Sequence, residues 1–196
     1  MRNLIFSIDE SNAYIKHFLI WPRTNVSRVK VIAGYFLTGL AIGVIARFWM
    51  RWISTDPEFS WSGTIFIVGA FALFFTTQSL VSIFSNITTS QLISRLIRIG
   101  GLILTLPLFM GAGAMMFPSV VLASFALWGG LLKRRGQLIF LSLSLIIPSI
   151  ISKDIITDFG WSFATLGRIL LFFLIYTVIV LATRPTTSPN RNLLKK

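Results

Sequence analysis

A chain of 196 residues that is 55% apolar and only 12% charged, with a mean hydropathy of +0.81, carries more apolar side chain than a water-soluble domain of this length tolerates, so one all-α integral membrane domain is expected. The absence of cysteine removes disulfides, thiolate catalysis and cysteine metal sites. A net charge of +12 would suggest nucleic acid in a soluble protein, but the preference of membranes for cations on their inner side accounts for it, and no nucleic-acid partner is implied.

Residues 1–30 read as a cytoplasmic amphipathic segment. Its short apolar runs are broken by Asp9 and Glu10, which excludes a signal peptide. Ser7-Ile8-Asp9-Glu10 has capping-box spacing, and Tyr14, His17, Phe18 and Trp21 then share one helical face until Pro22. That pattern predicts a short helix lying on the membrane surface. His17 is the sole histidine, so it has no histidine partner for a metal or a proton relay and reads as an interfacial residue.

Residues 31–183 form the transmembrane domain, a bundle of six transmembrane helices near 31–50, 62–85, 96–116, 118–132, 137–152 and 162–183. The first two have the roughly 20 residues that about 30 Å of hydrocarbon requires. From Ile99 to Leu132 the chain is uncharged and too long for one helix; Pro118 is the natural break, because proline fits the first turn of a new helix. Whether the third and fourth spans are full helices or a re-entrant pair is left open by pattern alone. The tail, 184–196, is basic, contains Pro185 and Pro189, and is expected to be disordered.

Charge placement argues for six spans with the N-terminus and the C-terminus both cytoplasmic. With that topology the inner side carries fourteen cations against Asp9 and Glu10. The outer side carries Arg47, Arg51, Lys153 and Arg168 against Asp56, Glu58, Asp154 and Asp158, so the whole excess is internal. The outer loops echo each other, Thr55-Asp56-Pro57-Glu58-Phe59-Ser60-Trp61-Ser62 beside Thr157-Asp158-Phe159-Gly160-Trp161-Ser162. In each, the final serine is expected to cap the following helix and the tryptophan to anchor it at the interface. A duplicated hairpin is one reading and convergent interface chemistry the other; the surrounding helices show no matching repeat.

The stretch Trp49-Met50-Arg51-Trp52-Ile53-Ser54-Thr55-Asp56-Pro57-Glu58-Phe59-Ser60-Trp61-Ser62-Gly63-Thr64 resembles one found in small polytopic bacterial membrane proteins to which no activity is assigned. The resemblance covers under a tenth of the chain. It implies a bacterial cytoplasmic (inner) membrane and no chemistry, and no functional residue is carried over from it.

Two groups of side chains are site candidates. The outer polar cluster comprises Arg47, Arg51, Asp56, Glu58, Asp154, Asp158 and Arg168, read either as a pocket for a small anion or lipid headgroup or as ion pairs and snorkelled arginines fixing helix ends. The intramembrane group comprises Thr77, Gln78, Thr105 and Ser144, for which helix-to-helix hydrogen bonds are the usual use. Gly39-Leu40-Ala41-Ile42-Gly43 offers a small face for close packing, and Gly111-Ala112-Gly113-Ala114 a smooth or flexible surface. No nucleophile–base pair, metal-ligand cluster or phosphate-transfer motif is present, so no enzyme, catalytic residue, metal or cofactor is expected. The expected role is a structural or accessory subunit of a membrane complex, with the lipid bilayer and other membrane subunits or a homo-oligomer as partners. The alternative is a small oligomeric transporter or channel for a small anion or lipid-like solute.

Overall fold

The computed structural model describes residues 28–55, 59–88, 90–112, 114–128 and 133–187. The expected surface helix with His17, the carboxylates Asp56 and Glu58, Gly113, and the tail from residue 188 lie outside them. Among the described residues all regular structure is helical: α1 Arg28–Trp52, α2 Trp61–Ile87, α3 Gln91–Leu104, α4 Leu106–Ala112, α5 Met116–Trp128, α6 Arg134–Ser144, α7 Ile146–Phe159, α8 Phe163–Ala182 and α9 Arg184–Thr187.

Five stretches are long and apolar enough to cross a membrane: Arg28–Trp52, Trp61–Ser85, Gln91–Met110, Arg134–Phe159 and Phe163–Ala182. The helix α5 is apolar but has only 13 residues, about 20 Å at 1.5 Å per residue. Their bounds differ from the hydropathy reading where charged or small residues sit at helix ends. The third stretch starts at Gln91 rather than at residue 96, because Arg95 and Arg98 are accommodated within α3. The fourth runs to Phe159, so Lys153, Asp154 and Asp158 lie on exposed last turns of α7 and not in a loop. That helix stops at Gly160, whose φ of +66° is open to glycine and strained for other residues.

Two of these stretches are interrupted. Around Thr105 and Leu145 the ladder tightens to i→i−3 bonds: Thr105 N–H to Leu102 O at 3.2 Å, and Leu145 N–H to Ser142 O at 3.2 Å. Each break precedes a proline, Pro107 or Pro148, which has no N–H and whose ring crowds the carbonyl four residues earlier.

The helix α2 is the hub. Of its crossing window 56% is buried within the bundle, against 17–33% for the other four stretches. It packs on α1, α3, α4 and α9, while α5 packs on α6, α7 and α8, and α8 returns to α1. Gly39 and Gly43 set the α1–α2 distance: a Cβ on Gly39 would lie 2.7 Å from Phe71 O and 2.8 Å from Ala72 Cα, and one on Gly43 2.9 Å from Val68 Cα. A single apolar core, with Ala46, Phe71, Phe74, Leu108, Val120, Phe172 and Ile175 among its members, joins α1, α2, α4, α5 and α8.

The chain does not leave the bundle at Thr183 as the tail composition suggested. Residues Arg184–Thr187 form one further helical turn that packs against α2, α3, α5 and α8, with Thr186 buried. Pro185 fits there because the first positions of a helical turn need no N–H.

Because backbone atoms of α2 meet the glycine face directly, Gly39→Leu should force α1 away from α2 and lower stability by about 1–3 kcal/mol. Thermal unfolding in detergent or nanodiscs, with Leu37→Ala on the exposed face as the near-neutral control, measures it.

Candidate functional site

The ends of α1, α2 and α8 meet at one rim. Ser60 caps α2 by accepting from Gly63 N–H at 3.2 Å, and Ser162 caps α8 by accepting from Thr165 N–H at 3.1 Å. The expected cap of α2, Ser62, instead lies inside its first turn with its hydroxyl 2.7 Å from that of Ser60. The two loops therefore differ in register: Trp61 is the first residue of α2, whereas Trp161 precedes the cap of α8. Both rings are exposed, together with Phe59 and Phe163, the last at 96%.

The three arginines at this rim take three kinds of partner. The Arg168 Nε–H donates to Trp52 O at 3.0 Å, placing a cation on the free carbonyls at the C-terminus of α1, where the helix dipole favours it. Its guanidinium lies 3.9 Å from the centroid of Phe159 and 5.5 Å from that of Trp52. In return Trp49 Nε1–H donates to Arg168 O at 2.8 Å while its ring stacks on Phe172 at 5.1 Å. Gly167 leaves the space for this, since a Cβ there would lie 3.2 Å from the Trp52 ring.

Arg47 Nε–H donates to Thr64 Oγ1 at 3.2 Å, tying α1 to the first turn of α2, and Thr64 passes its own proton to Ser60 O at 2.9 Å. Arg51 lies 5.1 Å over the Phe59 ring. Among the described residues, Asp154 and Asp158 are exposed and take part in no ion pair. The described part of the outer cluster thus fixes helix ends, and it brings no carboxylate onto Arg47 or Arg168.

The intramembrane candidates divide into two places. Ser144 O is the carbonyl that Pro148 leaves without its helical donor, and Ser119 Oγ on α5 hydrogen-bonds to it. The Tyr176 hydroxyl on α8 lies 3.0 Å from Ser119 Oγ and 3.5 Å from Ser144 O. Ser144 Oγ turns back onto Leu141 O at 2.7 Å. Residues Ser119 and Tyr176 were absent from the sequence candidates; the spacing of Pro148 to the carbonyl four residues before it is the signal that points to the need for them.

Gln78 and Thr105 line a second place, a small, partly open cavity of about 20 Å³ with a largely apolar wall, shared with Ser124, Thr183, Thr186 and Thr187. Thr105 Oγ1–H caps Leu102 O at 2.6 Å, and the hydroxyls of Ser124 and Thr183 are 2.6 Å apart. Thr77 is buried beside Gln78 on α2. A third space, about 40 Å³ and also mostly apolar, is lined by Trp49, Phe71, Leu108, Met116, Phe172 and Tyr176 among others, and Phe109 and Val120 form part of the wall of both cavities.

Among the described residues no group of three or more histidine, cysteine or acidic side chains is placed to hold a metal ion. Comparison with protein-family models, curated proteins and solved structures finds no match. The class that fold and site define is therefore a helical bundle with five stretches fit to cross a membrane, whose polar side chains join helices to one another.

If Ser119 serves the carbonyl orphaned by Pro148, Ser119→Ala should cost about 1 kcal/mol, the scale of interhelical hydrogen bonds in membranes. In a Pro148→Ala background, where residue 148 regains an N–H for Ser144 O, the same change should cost less than half as much. A double-mutant cycle of unfolding free energies reads that coupling.

Proposed function

We propose that this chain is a multi-pass protein of a bacterial cytoplasmic membrane, with six membrane helices and both termini inside, acting as a structural or accessory subunit of a larger membrane complex. The observation that carries the reading is the use of the interior polar groups. Ser119, Trp49, Arg168 and Trp128 each bond a backbone carbonyl of another helix, which is the work of holding a bundle together. The short α5 adds support: about 20 Å of helix falls short of some 30 Å of hydrocarbon, and a neighbouring subunit would cover the remainder. Exposed Leu37, Phe48, Leu96, Ile103 and Leu170 offer apolar faces to lipid or to such a neighbour. The reading includes no catalytic chemistry.

One observation favours the alternative, an oligomeric transporter or channel for a small anion or lipid-like solute. The two cavities adjoin across Phe109 and Val120, and Phe109 sits on α4, directly after the Thr105 break.

The topology is tested first, and the absence of cysteine makes it clean. In intact cells, Asp158→Cys should react with a membrane-impermeant maleimide, whereas Lys133→Cys should react only after permeabilisation. The opposite pattern for either position overturns the proposed orientation.

The role is tested by purifying the tagged full chain in nanodiscs from its native host and identifying what co-purifies by mass spectrometry. A stoichiometric set of other membrane subunits supports the accessory role. A homo-oligomer carrying a lipid or small anion moves the function to transport.

A further inference from the structure

Four arginines of the bundle are each given a partner. Arg47 meets a hydroxyl, Arg51 and Arg184 a ring face, and Arg168 a carbonyl and two rings. Arg98 is different: it lies in the second turn of α3, about 10 Å along the axis from Gln91, and takes part in no hydrogen bond, ion pair or ring contact among the described residues. It is half-buried, with Nε enclosed and the two amino groups of the guanidinium open outward. Arg134 and Arg135 are fully exposed at the start of α6, where water serves them. A guanidinium in a membrane-crossing stretch needs more than that.

The surroundings of Arg98 select the partner. Gln91, Ser94, Arg95 and Arg98 recur at i, i+3, i+4 and i+7, so they share one polar face over the first two turns of α3. The inner edge of that face continues to Gly101, which lets α3 close on Val81 of α2 and Thr186 of α9. Ser94 Oγ and Arg98 Nε are enclosed in this seam and beyond the reach of any guest. The outer edge, with Gln91 and Arg95, is exposed. Helical side chains lean toward the N-terminus, which brings the Arg98 amino groups back toward Arg95. Both cations stand near the positive end of the helix dipole, and the Ser90 side chain does not cap that end. The described carboxylates, Asp154 and Asp158, are at the opposite rim. Next to the polar face Leu92, Leu96, Ile99 and Ile103 make an exposed apolar stripe.

We propose that Arg95 and Arg98 hold the phosphate of an anionic phospholipid at the start of α3, with its acyl chains laid along Leu92, Leu96, Ile99 and Ile103. Guanidinium groups present paired N–H donors to the two free oxygens of a phosphodiester, and the anion offsets both the like charges and the helix dipole. A zwitterionic headgroup would bring its own cation toward two arginines and gain less. Inorganic phosphate would make the same polar contacts but leave the apolar stripe unused. In the topology proposed above this is the cytoplasmic leaflet; the inference holds for either role.

The test titrates the tagged full chain in detergent with phosphatidylglycerol, phosphatidylcholine or inorganic phosphate and counts bound molecules by native mass spectrometry. The expected result is one phosphatidylglycerol held more tightly than either competitor. Arg95→Gln or Arg98→Gln should weaken it about fivefold, and Arg134→Gln should leave it unchanged. Arg95 is exposed, so Arg95→Gln decides alone should Arg98→Gln fail to fold. Equal binding of the two lipids, phosphate bound as tightly as phosphatidylglycerol, or an affinity untouched by Arg95→Gln overturns the proposal. So does a preference for phosphatidylglycerol that arises only after Asp9→Asn with Glu10→Gln, which would give the arginines to carboxylates of the chain itself.

Discussion

The carbonyl of Ser144, stripped of its helical donor by Pro148, states the constraint under which the whole bundle is built. Where no bulk water reaches, a backbone group freed from its helix must be bonded by another part of the protein. Ser119 reaches across from α5 to do it, Arg168 does it for Trp52 at the end of α1, and Trp128 for Val180 in the last turn of α8, while Trp49 adds a bond to Arg168 O inside α8. These bonds follow one pattern, a side-chain donor on one helix and a backbone acceptor on another. The bonds of Ser119, Arg168 and Trp128 are made where a helix ends or breaks, and each of those fixes the position of a discontinuity.

Attraction between apolar faces does not hold such a bundle by itself, since lipid tails serve those faces equally well. Close contact does more. The glycine face of α1 lets two backbones touch at the level of Gly39 and Gly43, which gathers many weak dispersion contacts over a long antiparallel pair. That pair places α2 at the centre, where α3, α4 and α9 pack around it. The aromatic pairs Trp49–Phe172 and Phe109–Phe117 continue the contact into the second half of the chain, with ring centroids 5.1 Å apart in each.

The rim near α1 and α8 illustrates how a charge is kept in such surroundings. Arg168 lies between two aromatic rings with its Nε on a helix-end carbonyl, so its cation meets ring faces and a dipole and needs no carboxylate. Asp154 and Asp158 stand exposed on α7, in the last turns before Gly160. The arrangement makes the rim an anchoring device, flanked by exposed Trp61, Trp161 and Phe163.

Much of this was legible in the residues. Long apolar runs, a four-residue spacing of glycines, and serines ahead of helices depend on local chemistry, so the helical class, the close-packing face of α1 and the cap Ser162 could be read directly. The cap Ser60, the extension of α7 to Phe159 and the turn α9 could not, because each depends on which ends are packed by other helices. The same division holds for the site candidates. Composition singled out Gln78, Thr105, Ser144 and Arg168 as polar groups in an apolar setting, since the cost of burying such a group is a property of the group itself. Only the tertiary structure decided what stands beside them: Ser119 and Tyr176 at the Ser144 carbonyl, two rings around Arg168, and an empty-handed amide at Gln78. Partners of that kind come from helices tens of residues apart in sequence, brought together by packing that no local pattern encodes.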